Sequence, residues 1–389
     1  MSHGETFAAN RSELPAIAPG ARLWRFAPWN DGHQYIPYFY NPALDASGNR
    51  IIFTGNRNGQ SQLYLLDLVQ DTVTQLTNAQ GSGQNWAPYI RENVNGIRPQ
   101  FIAWTQPDYQ HAAFFENNTL CIVNVESLEV ERLHELPNQV APSVLHCSPQ
   151  GWVAFGYLPR DRQEQMRLGA TVFEIDEELR EGCGFIVYDL VSRQLVLDVP
   201  TPFWPNHVAA SPDHAQVLCC HEGLWELQRM FLYDVATGDI RPLREQDGEV
   251  RIGHEFWIDP QTVGYHGSVG DHGFFGTIDI ATGDRIERPS PSGPEHFYGH
   301  YHVSPDGRFV LTDGEVTPDK ISISPLTDTA LEFVPVCSHD WPRSGDQRVH
   351  PHPNWHQSGR FITFTGYETL PSGEGCSRVC LLELPPDNS

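Results

Sequence analysis

The chain has 389 residues, 49 acidic against 25 basic, for a formal net charge of −24. A surface this acidic repels nucleic acid and anionic membranes. Charges beyond about 8 to 10 Å are screened at physiological salt, so any acidic ligand is expected to be short and gripped by local positive charge.

Length alone suggests two or three domains. No window approaches the ~20 apolar residues of a membrane span. The first twenty residues hold Glu5, Arg11 and Glu13 and no apolar run, so no export signal is expected. Eight cysteines lie scattered without C-x-x-C spacing and read as reduced thiols, which makes the cytoplasm the expected compartment.

A repeat overrides the length argument. An apolar strand phrase recurs at Leu63–Leu68, Leu120–Val125, Phe185–Leu190, Met230–Val235 and Gly276–Ile280, with weaker copies at Ile321–Ser324 and Val379–Leu384. From Asp189 to Asp234, Asp279 and Ser324 the step is 45 residues each time, the length of a four-stranded propeller blade. A turn phrase precedes most copies, as at Ser211-Pro212-Asp213 and Ser304-Pro305-Asp306-Gly307, each followed by a short strand rich in β-branched or aromatic residues. The expected architecture is all-β, a single seven-bladed β-propeller across residues 1–389. A strand near 22–27 (Leu23-Trp24-Arg25-Phe26) should complete the last blade, and a partly helical insertion at 158–182 should interrupt the third.

The innermost strand of each blade should precede its turn. Six residues back from Asp213, Asp306 and Ser358 stand His207, His300 and His352, a histidine at one repeat position in three blades. Equivalent positions in a ring project toward the axis at similar height. In the run Gln347-Arg348-Val349-His350-Pro351-His352-Pro353, an extended edge strand would place His350 and His352 on one side and both prolines on the other. The expected ligand set is His300, Gln347, His350 and His352, neutral nitrogen and amide-oxygen donors that suit manganese, cobalt, nickel or zinc.

A second cluster comprises Cys220-His221-Glu222-Gly223, Arg229 and Gly253-His254-Glu255-Phe256-Trp257. Histidine titrates near neutrality, and a nearby cation keeps it neutral and able to accept a proton. The guanidinium of Arg229 fits a carboxylate with two hydrogen bonds. Arg229, His207 and His221 are the expected substrate-binding side chains.

With His-Pro-His-Pro at 350–353 and Gln347 upstream, His-Glu-Phe-Trp at 254–257, Cys-His-Glu-Gly at 220–223 before Arg229, and Tyr38-Phe39-Tyr40, the chain resembles the oligogalacturonate lyases, seven-bladed propellers acting on short pectin fragments. The resemblance implies manganese on His300, Gln347, His350 and His352, a proton-abstracting base at His254, and Arg229 on a substrate carboxylate. Two departures accompany it. The spacing from His221 to Arg229 is short, and Tyr35 stands where a histidine would be expected three residues before Tyr38. Another short uronide is therefore an alternative substrate.

The implied reaction is β-elimination to 4-deoxy-5-ketouronate products from a short acidic oligosaccharide, and it suits these residues. Removing the C5 proton of a 4-linked uronide needs a neutral base, and a divalent cation with an arginine to neutralise the carboxylate charge that develops. Hydrolysis by paired carboxylates gives the histidines no role. A protein-binding platform, the non-catalytic alternative, would concentrate aromatics on a rim rather than histidines on inner strands. Oligomeric state is open at this level.

Overall fold

The computed structural model describes residues 3–30, 32–57, 59–81, 95–167, 181–224, 227–290, 299–313, 319–341 and 350–386. These are nearly all β, with one helix at Arg160–Arg167. That helix opens the stretch expected as an insertion, whose residues 168–180 lie outside the described set. No described helix is long and apolar enough to cross a membrane.

The strands form antiparallel meanders in chain order. Five sheets stand alone, and a nine-stranded sheet is two further meanders joined by a short parallel pairing of Gln60 and Ser61 with Asn95 and Gly96. Each copy of the repeated apolar phrase falls in the third strand of a meander, from Gln60–Asp67 and Thr119–Asn124 through to Gly375–Glu383. Near the other terminus, Arg22–Phe26 pairs with Gly375–Glu383 on one side and Arg11–Leu14 on the other.

Side-chain chemistry explains why the repeat punctuates so regularly. At the end of the third strand the Asp234 carboxylate accepts the backbone N–H groups of Ala236 and Thr237, and Asp279 does the same for Ala281 and Thr282. An Asp carboxylate that bonds the backbone two and three residues on closes the turn locally. Gly238 and Gly283 then adopt φ of 77° and 76°, which a side chain resists. In the earlier turn the Ser211 hydroxyl donates to Asp213 while accepting from the N–H of Gln216.

The first strands of the meanders face a common core. One buried cluster gathers Tyr35, Phe101, Val144, Phe256 and Tyr301 from five of them, together with Tyr38, Phe39 and Tyr40 from the segment after Gln34–Tyr35. All eight cysteines are free and buried.

Candidate active site

Tyr38 is the hub. Its ring, 1% exposed, lies 4.6 Å from the centroid of His352, 5.2 Å from His207, 5.8 Å from His300 and 6.4 Å from His254. Histidines from residues 207 to 352 therefore converge on one buried wall.

Nitrogens of His300, His350 and His352 lie within 4.8 Å of one another. Two of these rings, His300 and His352, are oriented from behind. The Nδ1–H of His300 donates to the buried Asp313 carboxylate at 2.8 Å, and the His300 backbone N–H donates to its other oxygen at 2.6 Å. This fixes the tautomer with the Nε2 lone pair free, and that Nε2 is buried without a hydrogen-bond partner. His352 repeats the pattern: the Gln100 amide lies 3.3 Å from Nδ1, while Nε2 is buried and unpartnered. Turned oxygen-first, that amide would hold the Nδ1 proton and leave Nε2 to an ion.

Two orphaned imidazole nitrogens aimed into one volume are what a metal-binding pocket needs and a packed core avoids. Burial first, then the neighbouring His300, pushes His350 down to about 3 and His352 well below the ordinary histidine range. The rings are thus neutral donors at pH 7. Asp313 is held below the usual carboxylate range: burial raises it, but His300 and the hydrogen bonds it accepts outweigh that. The residues present fit a divalent cation. Gln347, the fourth expected ligand, lies outside the described residues.

The expected edge strand at His350–Pro353 is not formed. Pairing begins only at Asn354–Trp355, and His352 sits in left-handed backbone at φ 49°. The segment is anchored where the Pro351 carbonyl accepts the N–H of Thr365 at 2.7 Å. Two prolines without ladder donors and a left-handed residue between them defeat alternation, so a kink brings the rings together.

His254 adjoins this group, its centroid 4.4 Å from that of His300. It comes from the strand Val250–Trp257 and is half-buried. Its Nδ1 lies 3.1 Å from the carbonyl of Gly299 and 3.0 Å from Nε2 of His266. A carbonyl only accepts, so Nδ1 carries the proton and Nε2 keeps its lone pair. That Nε2 makes no hydrogen bond among the described residues. Burial, then the neighbouring His300 and His266, drives the ring well below the ordinary range, so it stands neutral. Gly253 makes this possible, because a Cβ there would meet the His266 ring at 2.3 Å.

Across Tyr38 lies an ion-pair network. The Tyr38 hydroxyl is 2.9 Å from His207 Nε2, and His207 Nδ1 is 3.2 Å from Glu255 Oε1. Arg229 Nε donates to Glu255 Oε2 at 3.2 Å, and its Nη2 lies 3.5 Å from Glu222. Asn206 also donates to Glu222, at 3.2 Å.

His207, Cys220 and Glu255 have the chemistry and spacing of a metal site too. Arg229 already supplies the cation there. Burial holds the Cys220 thiol well up despite Arg229, and its sulfur accepts the His207 backbone N–H at 3.1 Å. His221 contributes differently: its ring packs on Phe203 at 5.1 Å, and its backbone N–H donates to the Arg229 carbonyl at 2.7 Å.

Sequence reasoning missed Asp313, Gln100, His266 and the carboxylates of Glu222 and Glu255 as partners of named residues. His266 lies within the strand Thr262–Val269 and Asp313 one position beyond the strand Phe309–Thr312, and only their packing marks them.

No known protein-family model matches the chain. It is 24% identical over 367 aligned positions to an oligogalacturonate lyase of Dickeya dadantii (strain 3937), covering 84% of this chain and 86% of that one. An oligogalacturonide lyase of Pectobacterium atrosepticum is also 24% identical, over 404 positions, with 94% and 95% covered. Among solved structures, an oligogalacturonate lyase in complex with manganese superposes with a TM-score of 0.77 at 20% identity, covering 99% of both chains. The oligogalacturonate lyase of Vibrio parahaemolyticus gives 0.79 at 18%, covering all of both. Over nearly its whole length, the chain is similar to the oligogalacturonate lyases and shares their fold.

Proposed function

We propose that the protein is a seven-bladed propeller lyase that cleaves short oligogalacturonides by β-elimination. The observation that carries this reading is the pair of buried, unpartnered Nε2 atoms of His300 and His352, set beside a neutral His254 whose own Nε2 is unbonded. The naming of the relatives and the manganese complex of one of them support it.

His300, His350 and His352 would hold the cation, with Asp313 and Gln100 fixing two of the rings from behind. A bound divalent ion, manganese in this reading, supplies Lewis acidity that neutralises the uronate carboxylate as the adjacent carbon loses its proton. His254 Nε2 takes the proton from C5, and the imidazolium that forms keeps its Nδ1–H on the Gly299 carbonyl. The C5–H electron pair becomes the C4–C5 double bond while the C4–O4 bond breaks and O4 leaves with a proton from solvent. Neutrality of His254 at pH 7 suits this role, since a protonated ring cannot accept. Arg229 meets a substrate carboxylate, and its buried position, 12% exposed, keeps water from competing for the guanidinium. Unsaturated monomers released this way rearrange to 4-deoxy-5-ketouronate.

The test is an assay of the manganese-loaded protein on di- and trigalacturonate. Appearance of 4,5-unsaturated or keto product, its loss on exhaustive chelation and its return with manganese are expected. Product formation that survives chelation would overturn the metal's role, and absence of product with metal present would overturn the lyase reading.

A further inference from the structure

Arg229 faces a charge problem. It is one guanidinium with two carboxylates on it, Glu255 at 3.2 Å and Glu222 at 3.5 Å. A third carboxylate, arriving with a uronide, would meet a cluster already negative in sum.

The two acidic partners are not equivalent. Glu255 is sealed in, its side chain 1% exposed, bonded by Arg229 Nε on one oxygen and by His207 on the other. Glu222 is 19% exposed, stands farther from the guanidinium and follows the end of the strand Gln216–His221. Burial raises Glu222, but Arg229 and His207 outweigh this and hold it below the usual range, so it is charged.

We propose that Glu222 is a built-in stand-in for the substrate carboxylate, occupying Nη2 of Arg229 until a uronate carboxylate exchanges with it. The inference rests on the lyase reading and deepens it by naming a specificity-determining residue. The physical logic is that a largely buried Nη2 stripped of its acceptor is costly, whereas an exchange of carboxylate for carboxylate keeps that nitrogen bonded while the more exposed Glu222 carries its charge toward solvent. The same exchange discriminates: a neutral or methyl-esterified sugar cannot replace the displaced charge, so acidic units are selected over esterified ones.

Calorimetric titration of galacturonate, its methyl ester and galactose into the full chain with manganese present tests this. Glu222→Gln, which removes the competing charge, and Glu222→Asp, which shortens the reach, are each expected to bind galacturonate roughly tenfold tighter than the parent, without the same gain for galactose. In activity, KM for digalacturonate should fall with kcat changing less. Circular dichroism confirms that each variant folds, and the second substitution serves if the first does not. Unchanged or weaker galacturonate binding in the folded variants overturns the proposal. Failure of the lyase reading is a separate outcome, seen as absence of elimination product from the parent protein, and the binding titration is read independently of it.

Discussion

Two clusters of metal-ligand chemistry face each other across Tyr38, and they differ in one respect. Around His300, His350 and His352, two of the three rings are oriented from behind, and their Nε2 atoms are buried without a hydrogen-bond partner. Around His207, Cys220 and Glu255, a guanidinium lies within 3.2 Å of the carboxylate and the sulfur accepts a backbone N–H. Residue types and spacing alone would rank the two alike. What separates them is that one already contains a cation, the Arg229 guanidinium, while the other leaves buried lone pairs unsatisfied.

The largest expected effect tests the neighbour of the first cluster. His254→Ala should lower kcat by about 10²- to 10⁴-fold, the range of a general base, while manganese binding by calorimetry stays near that of the parent. Near-normal turnover would remove His254 as the base.

The second cluster should answer in stability rather than metal content. Glu255→Gln leaves Arg229 with only the more exposed Glu222 carboxylate and His207 without its charged partner, and denaturant unfolding should show a loss of about 1–3 kcal/mol. Manganese stoichiometry measured on the folded fraction should be unchanged. Loss of bound metal instead would mean the two clusters share an ion and erase the contrast.

Asp313→Asn sharpens the same point from behind the first cluster. It keeps the shape but loses the charge that fixes the His300 tautomer, so manganese affinity should drop about 10- to 100-fold. An unchanged dissociation constant would show that Asp313 serves only packing.

The smallest effect concerns pH. Burial holds His146 and His339, both outside the two clusters, at about 4. Their unfolded value is near 6.5, so below that pH the unfolded chain binds protons that the folded chain refuses. Each ring therefore costs stability as pH falls from about 6.5 toward 4, by roughly 0.7 kcal/mol between pH 7 and 6. Replacing either by Gln should flatten the dependence of the unfolding midpoint between those pH values. A slope unaffected by both substitutions would show that neither ring is buried neutral.

Much of this arrangement was legible from residues in order. Asp189, Asp234 and Asp279 mark the repeat because each closes a turn with its own backbone, a local device that leaves a local signature. His300 and His352 stood out because repeat position translates into position in space. The limits are equally physical. Strict strand alternation failed at His350–His352, where the left-handed φ of His352 replaced the pleat. Arg229 read as an open carboxylate clamp, whereas Glu222 and Glu255 already hold it.

What the sequence determined by itself was the β-rich repeat, its punctuation and the histidine-bearing positions, all consequences of chemistry within a few residues. Only the tertiary structure decided the tautomers, the orphaned nitrogens and the compensated arginine. Those depend on partners such as Gln100 for His352, 252 positions apart along the chain, which meet only when separate sheets pack on one core.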